Sequence, residues 1–343
     1  MHMLKKGMGL ALAAALAAGA LAGCGESEPP VPKPTAAKST SRPATSVENF
    51  MKVSKRVLEA VNATDKDQST DKLGATTTGP MTVIRQAQYN TKRLLGDSYK
   101  FPELATEVTK NRVAISSSKG YPRLAMTVMD PLKGNNLPTM DVFAQGKARE
   151  NWKLWGSLRL FPGAEFPSVE GGKTGAETVA AESDKGLAAS PKKTIEAYVN
   201  LNKTGSDAQG LTFSQDALRQ ELKKTADKNA AAVNGVGKST MTFAVGNEGP
   251  VAMRTSDGGA VVVAQLNYFT TISSDSQHTV TVGDKAGSIA SGKAEGKVTL
   301  DGKTLTTSNT RLVAFRVPAA KSKDKTISVI GSSDDVMLGA QVQ

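Results

Sequence analysis

Ala260-Val261-Val262-Val263-Ala264-Gln265-Leu266-Asn267-Tyr268-Phe269-Thr270-Thr271-Ile272 is a long run of β-branched, aromatic and apolar residues with no helical spacing of polar positions. Such a run predicts a long apolar strand. Asp257-Gly258-Gly259 stands immediately before it, a hairpin signal that pairs it antiparallel with a strand at 252–255. Further strands are expected at 241–246, 279–282, 297–300, 304–317 and 326–330, with Asp301-Gly302 as a second hairpin signal. Upstream, Ser190-Pro191 caps a helix with Ile195, Tyr198 and Val199 on one stripe. Phe213-Ser214 opens another, in which Phe213 staples onto Leu218. Helices first and strands after is the signature of an α+β fold.

The same order occurs earlier in the chain. Ser46 is a good N-cap, and Phe50, Val53, Val57 and Val61 follow at helical spacing, which predicts a helix over 47–62. After a polar stretch, Gly79-Pro80 opens a second helix with Ile84, Ala87, Thr91 and Leu94 or Leu95 on one side, stopped by Gly96-Asp97. Beyond Phe101 the period becomes two: Leu124, Met126 and Val128 share one strand face, and Trp152, Leu154, Leu158 and Leu160 share another. Turn clusters at 116–120, 130–136 and 145–147 separate the strands. Laid side by side, 113–130 corresponds to 253–271 and 148–161 to 307–318. The stretch 170–189, rich in Gly, Ala, Ser, Thr and charge, has no periodic apolar face and reads as a linker. The expectation is two related α+β domains, 46–169 and 190–343. Each has helices packed on a curved antiparallel sheet, as in a cystatin-like or nuclear-transport-factor-2-like roll.

The first residues read differently. Lys5 and Lys6 precede a stretch from Gly9 to Leu21 made only of Gly, Ala and Leu, too short to cross a bilayer permanently, so residues 1–23 are expected to be a signal peptide. The run ends in Leu21-Ala22-Gly23-Cys24, which resembles the lipobox of bacterial lipoproteins, where the cysteine is acylated and becomes the new N-terminus. Ala20-Leu21-Ala22 also fits ordinary signal cleavage. Cys24 decides between them: it is the chain's only cysteine, and a lone thiol in an oxidising compartment has no disulfide partner. Residues 24–45, with Pro29-Pro30-Val31-Pro32-Lys33-Pro34, form a lipidated, semi-extended tether. The lipobox, this tether, the Thr78-Gly79-Pro80 helix opening and the closing strands at 312–318 and 326–331 resemble large lipoproteins of unassigned function from high-GC Gram-positive bacteria. The resemblance implies an extracytoplasmic place on the outer face of the cell membrane, and no catalytic residues.

The net charge of +11 favours anionic envelope polymers or headgroups over nucleic acid, because the lysines are scattered and no arginine-rich patch is interleaved with aromatics. Gly235-Val236-Gly237-Lys238-Ser239 ends like a phosphate-binding loop but has Ala232 where a glycine is required, and reads as a helix end entering a strand. Asp65, Asp67, Ser69 and Asp71 alternate like a calcium loop, yet Thr70 and Thr76 occupy the glycine and glutamate positions, leaving a solvated acidic loop. Asp275, Ser276 and His278 lack an oxyanion-hole sequence, and Asp334-Asp335 reads as solvated charge. No catalytic set, metal site or cofactor is expected. The one ligand-contact candidate is Lys153, Trp155 and Arg159, which alternation places opposite the apolar face of their strand. A register break at Gly156 would instead send Trp155 inward as a core residue, the reading favoured over ligand contact. The function expected is a non-catalytic binding or scaffold protein contacting an envelope protein or polymer. The alternative is an envelope hydrolase using carboxylates that sequence cannot pair.

Overall fold

The run beginning at Ala260 forms the longest strand, β7 (Ala260–Ser274), buried without interruption from Ala260 to Leu266. The computed structural model describes residues 41–343 apart from 133–136, 165, 170–173 and 208, and omits the side chains of 108–112. The expected signal peptide, Cys24 and nearly all of the tether lie outside the described residues. The described residues form one compact unit.

Chain order gives α1 (Val47–Asp67), α2 (Thr70–Thr76), α3 (Pro80–Leu95), β1 (Val108–Ile115), β2 (Arg123–Met129), β3 (Thr139–Gln145) and β4 (Lys153–Leu160). A second set follows: α4 (Pro191–Thr204), α5 (Ala217–Ala232), β5 (Gly237–Val245), β6 (Val251–Arg254), then β7, β8 (Thr279–Val282) and α6 (Asp284–Ser291). It closes with β9 (Val298–Asp301), β10 (Thr304–Val317), β11 (Ser328–Ser332) and β12 (Val336–Val342). The fold is thus mixed α and β, with a large antiparallel sheet and six α-helices among the described residues.

The main sheet runs β1-β2-β3-β4-β11-β10-β7-β5, with β6 on β7 and β12 on β10, while β8 and β9 form a separate ribbon. Read inward from either edge, its strands are met in chain order. The two sets join where β4 pairs with β11, at Leu160↔Gly331 and Arg159↔Ser332. By position β2 corresponds to β7, as the sequence comparison has it. The counterpart of β4, however, is β11 rather than β10.

Side-chain alternation sorts the core into three clusters. Phe50, Leu58 and Met81 from the first helices meet Ala125, Phe143 and Leu154, with Phe50 edge-on to Phe143 at 5.4 Å. Tyr198 and Phe213 meet Phe315 in the second half. The other sheet face is buried too: Met126, Met140 and Val142 share a third cluster with Val261, Val263, Leu312 and Ala314. Helices therefore cover the outer faces, and the inner faces of the two halves cover each other together with Ile84 and Ala87 of α3.

Several expectations change. Within the expected linker, residues 174–189 are tied down: Ala176, Val179, Leu187 and Ala189 are buried, Ala176 N–H donates to Ile115 O at 2.8 Å and Val179 N–H to Ala252 O at 3.0 Å. Small residues pack and hydrogen-bond there without any periodic pattern, which is why it read as open linker. The polar 64–78 stretch is largely helical, with α1 continuing to Asp67 and Leu73 of α2 buried. The helix expected to open at Phe213 begins at Ala217 behind the Asp216 N-cap. α6, short and poor in large apolar residues, and β12 were not anticipated.

Candidate functional site

β4 carries the three residues expected to grip a ligand, and the structure separates them. Phe143 pairs with Leu154 and Val142 with Gly156, so Trp155 is an extra residue in the ladder. Such a bulge re-aims its side chain. Trp155 turns into the inner core, 6% exposed. Its indole lies against Gly79, where a Cβ would stand 2.6 Å from Nε1 and where φ is +56°. Both facts require glycine at that helix opening. Lys153 faces Ala144 and Arg159 faces Thr139, five residues apart on β3 and hence on opposite faces. Lys153 Nζ donates to Gly74 O at 2.6 Å, and Arg159 pairs with Asp334. The expected stacking-and-charge surface is therefore not assembled, because alternation counted across a bulge gives the wrong face.

Arg159 nonetheless borders a cavity of about 60 Å³ between α3, the 102–105 stretch, β3, β4 and the turn into β12. Met81, Ile84, Leu104, Leu158 and Val336 give it apolar walls, and Arg85, Thr139 and Ser157 give it a polar side. Asp141 lies directly opposite Ser157, on the same face of β3 as Thr139. It is 1% exposed, and neither carboxylate oxygen has a hydrogen-bond partner. Burial pushes its carboxyl up to about 7, while the nearby Ser157 hydroxyl and Arg85 charge pull the other way.

Arg85 is itself buried but well held. It pairs with Asp65 at 3.1 Å, donates to Gln88 Oε1 at 2.9 Å and Pro102 O at 3.3 Å, and lies 5.2 Å from the Phe101 ring centre. Only its Nε lacks a partner. Asp65 also accepts from Tyr89 Oη at 2.6 Å, and burial raises both of these groups above their ordinary range. Asp65 thus sits in the last turn of α1 as a buried counter-ion, not in a solvated acidic loop.

The Asp334-Asp335 pair is likewise engaged. Asp334 meets Arg159. Asp335 accepts from Tyr268 Oη at 2.5 Å and Asn309 Nδ2 at 2.9 Å, with Lys285 at 3.8 Å. Asp275 accepts from Gln277 N–H and pairs with His278 Nδ1 at 2.8 Å on an exposed turn. The Gly235 region is a helix end, as expected: α5 stops at Ala232, Gly235 has φ +80°, and β5 starts at Gly237. Among the described residues no group of three or more His, Cys, Asp and Glu side chains could hold a metal ion.

Asp141 and Arg85 escaped the sequence reading. The available signal was a lone charge in the otherwise apolar run Met140-Asp141-Val142-Phe143, which alternation alone assigns to a solvent face.

Residues 41–337 match the model of a family described as a domain of unknown function, DUF8094. The chain belongs to that family. The match takes in both halves and the cavity between α3 and the sheet. An uncharacterized lipoprotein of Streptomyces avermitilis is 30% identical over 166 residues, which is 48% of this chain and 48% of that protein. The match thus spans about half the length of that relative. No solved structure matches the chain. Among the described residues no helix is long and apolar enough to cross a membrane.

Proposed function

We propose that this protein is an exported lipoprotein, cut before Cys24, anchored to the outer face of the cell membrane by acyl chains on that cysteine, and acting there as a non-catalytic binding or scaffold protein. The observation that carries the reading is the single cysteine at the end of a Gly-Ala-Leu run, Leu21-Ala22-Gly23-Cys24. The similarity to a protein named as a lipoprotein supports it. Two acyl chains exceed the membrane affinity that one chain misses, since each buried methylene contributes about 0.8 kcal/mol. The excess of lysine and arginine over acidic residues suits an anionic envelope polymer or an envelope protein as partner. We also infer that the halves 46–169 and 190–343 descend from one duplicated unit of cystatin-like or nuclear-transport-factor-2-like roll, a reading supported by strand order inward from both sheet edges.

Anchoring is tested with Cys24→Ser, followed by detergent phase partitioning and labelled palmitate incorporation. The variant is expected in the aqueous phase and unlabelled. Retention in the detergent phase with label would overturn the anchor.

A further inference from the structure

Val53, Arg56, Val57 and Ala60 fall at the spacing that puts them on one stripe of α1. Val53 and Val57 pack only partly against the core beneath. Between this stripe, the end of α2 and the β3–β4 connection lies a cleft of about 300 Å³. Its walls are tied together. Lys153 Nζ donates to Gly74 O at 2.6 Å and Thr78 N–H to Leu154 O at 2.9 Å, which clamps the end of α2 onto β4. Gln145 Nε2 donates to Glu150 O at 2.6 Å and fixes the connection. The cleft is therefore built before any ligand arrives.

Trp152 is the only buried residue among the described residues that line it. It is 7% exposed, and its ring stands edge-on to Phe50 at 5.5 Å. Its Nε1 has no hydrogen-bond partner among the described residues, yet it is not one of the fully enclosed polar atoms, so this N–H opens into the cleft. A buried indole ordinarily finds an acceptor. At the rim, Arg56 and Glu150 also line the cleft, and neither forms an ion pair among the described residues. The neighbouring Lys55, by contrast, meets Glu107 at 2.5 Å and Glu59 at 4.0 Å.

We propose that this cleft binds a free α-amino acid with an aliphatic side chain. Its carboxylate accepts from Arg56 and the Trp152 N–H, its ammonium donates to Glu150, and its side chain covers Val53, Val57 and Ala60. Unanswered charges of both signs in one cleft select a zwitterion. A simple anion would leave Glu150 facing it, a simple cation would leave Arg56 and the indole N–H, and a purely apolar molecule would leave all three. Bonds to charged groups are about twice as strong as neutral ones, so the polar ends set the choice of ligand while the valines hold its body. The inference rests on the reading of the protein as a binding protein but not on its lipid anchor, so the Cys24→Ser result leaves it untouched.

The test is calorimetric titration of the full, detergent-solubilised protein near neutral pH with L-leucine and two matched analogues. 3-Methylbutylamine lacks the carboxylate, and 4-methylpentanoate lacks the ammonium. Leucine is expected to bind about tenfold more tightly than either, because each analogue leaves one rim charge unanswered. Arg56→Gln should weaken leucine about tenfold and spare the amine, and Glu150→Gln should weaken leucine about tenfold and spare 4-methylpentanoate. Both side chains are exposed, so these variants should melt as the wild type does. Trp152→Phe, shown folded by its melting curve, keeps a ring but loses the N–H, and should weaken leucine and 4-methylpentanoate while sparing the amine. The proposal is overturned if leucine binds no more tightly than its analogues, or if Arg56→Gln or Glu150→Gln binds it unchanged. It is also overturned if no probe binds at about 10 mM, in which case the cleft holds water only and the envelope polymer or protein partner stands without it.

Discussion

Asp141 makes a stability prediction that does not depend on any ligand. Its folded carboxyl titrates near 7, above the usual carboxylate range, so the native state holds the proton more tightly than the unfolded chain does. The contribution is therefore fully present below about pH 4 and is lost as pH rises through 7, at about 1.4 kcal/mol per unit across that window. Asp141→Asn removes the titration. Denaturant unfolding should show the variant gaining on the wild type by a few kcal/mol between pH 4 and pH 8, and a gap that stays constant over that range would refute the assignment. Trp155 belongs to the same scale. Filling the inner core against Gly79, it should cost about 3 to 5 kcal/mol when changed to alanine, whereas Lys153→Ala, which removes one exposed bond to Gly74 O, should cost a few tenths. Comparable losses for the two would mean that the indole is not the packed one. The inward Trp155 was open in sequence as a register break at Gly156, but the burial of Asp141 was not legible. Alternation assigns faces by counting, and the inserted residue in β4 and the helix cover over β3 are both invisible to a count.

Elements with strong local signals were readable. Ser46 Oγ accepts from Asn49 N–H at 3.1 Å, and Ser190 Oγ accepts from Lys193 N–H at 3.2 Å. Gly79-Pro80 and Gly96 bound α3 as their chemistry dictates. The start of α5 falls later than Phe213-Ser214 suggests, at a cap that serves two purposes. Asp216 Oδ1 accepts from Arg219 N–H at 2.8 Å and from Tyr198 Oη at 2.9 Å, so one carboxylate both opens α5 and locks it to α4. Asp216→Ala loses the cap and orphans a buried phenol, for about 2 to 4 kcal/mol. Tyr198→Phe removes the phenol but leaves the cap, and Asp216→Asn preserves the cap while changing the phenol's partner. A double-mutant cycle between positions 198 and 216 should return a coupling of at least about 0.5 kcal/mol, and strict additivity would show that the two helices are held by packing alone.

At the scale of the molecule, the sequence foretold two sets of helices followed by strands and missed how they are joined. Each half read alone has a helix-facing strand surface and a second surface with apolar residues of its own. Leu124, Met126 and Val128 were seen as one such surface, but nothing in a pattern says that it meets Val261, Val263, Leu312 and Ala314 from the other half. The join includes the short β4–β11 pairing, that shared inner core, α3 packed on β12 and α6, and the 174–189 stretch bonded to both halves. Because the inner core is common property, opening one half strips the apolar cover from the other, which couples their unfolding. Calorimetry of the full chain should give one transition whose calorimetric and van't Hoff enthalpies agree. Limited proteolysis should leave the 174–189 stretch intact until global unfolding, because its buried Ala176, Val179, Leu187 and Ala189 must open first. A fragment of residues 190–343 on its own should expose Val261, Val263, Leu312 and Ala314 and self-associate at micromolar concentration. Two separable transitions, together with a monomeric and stable 190–343 fragment, would show instead that each half carries a sufficient core and that the inner contact is only a docking of finished units.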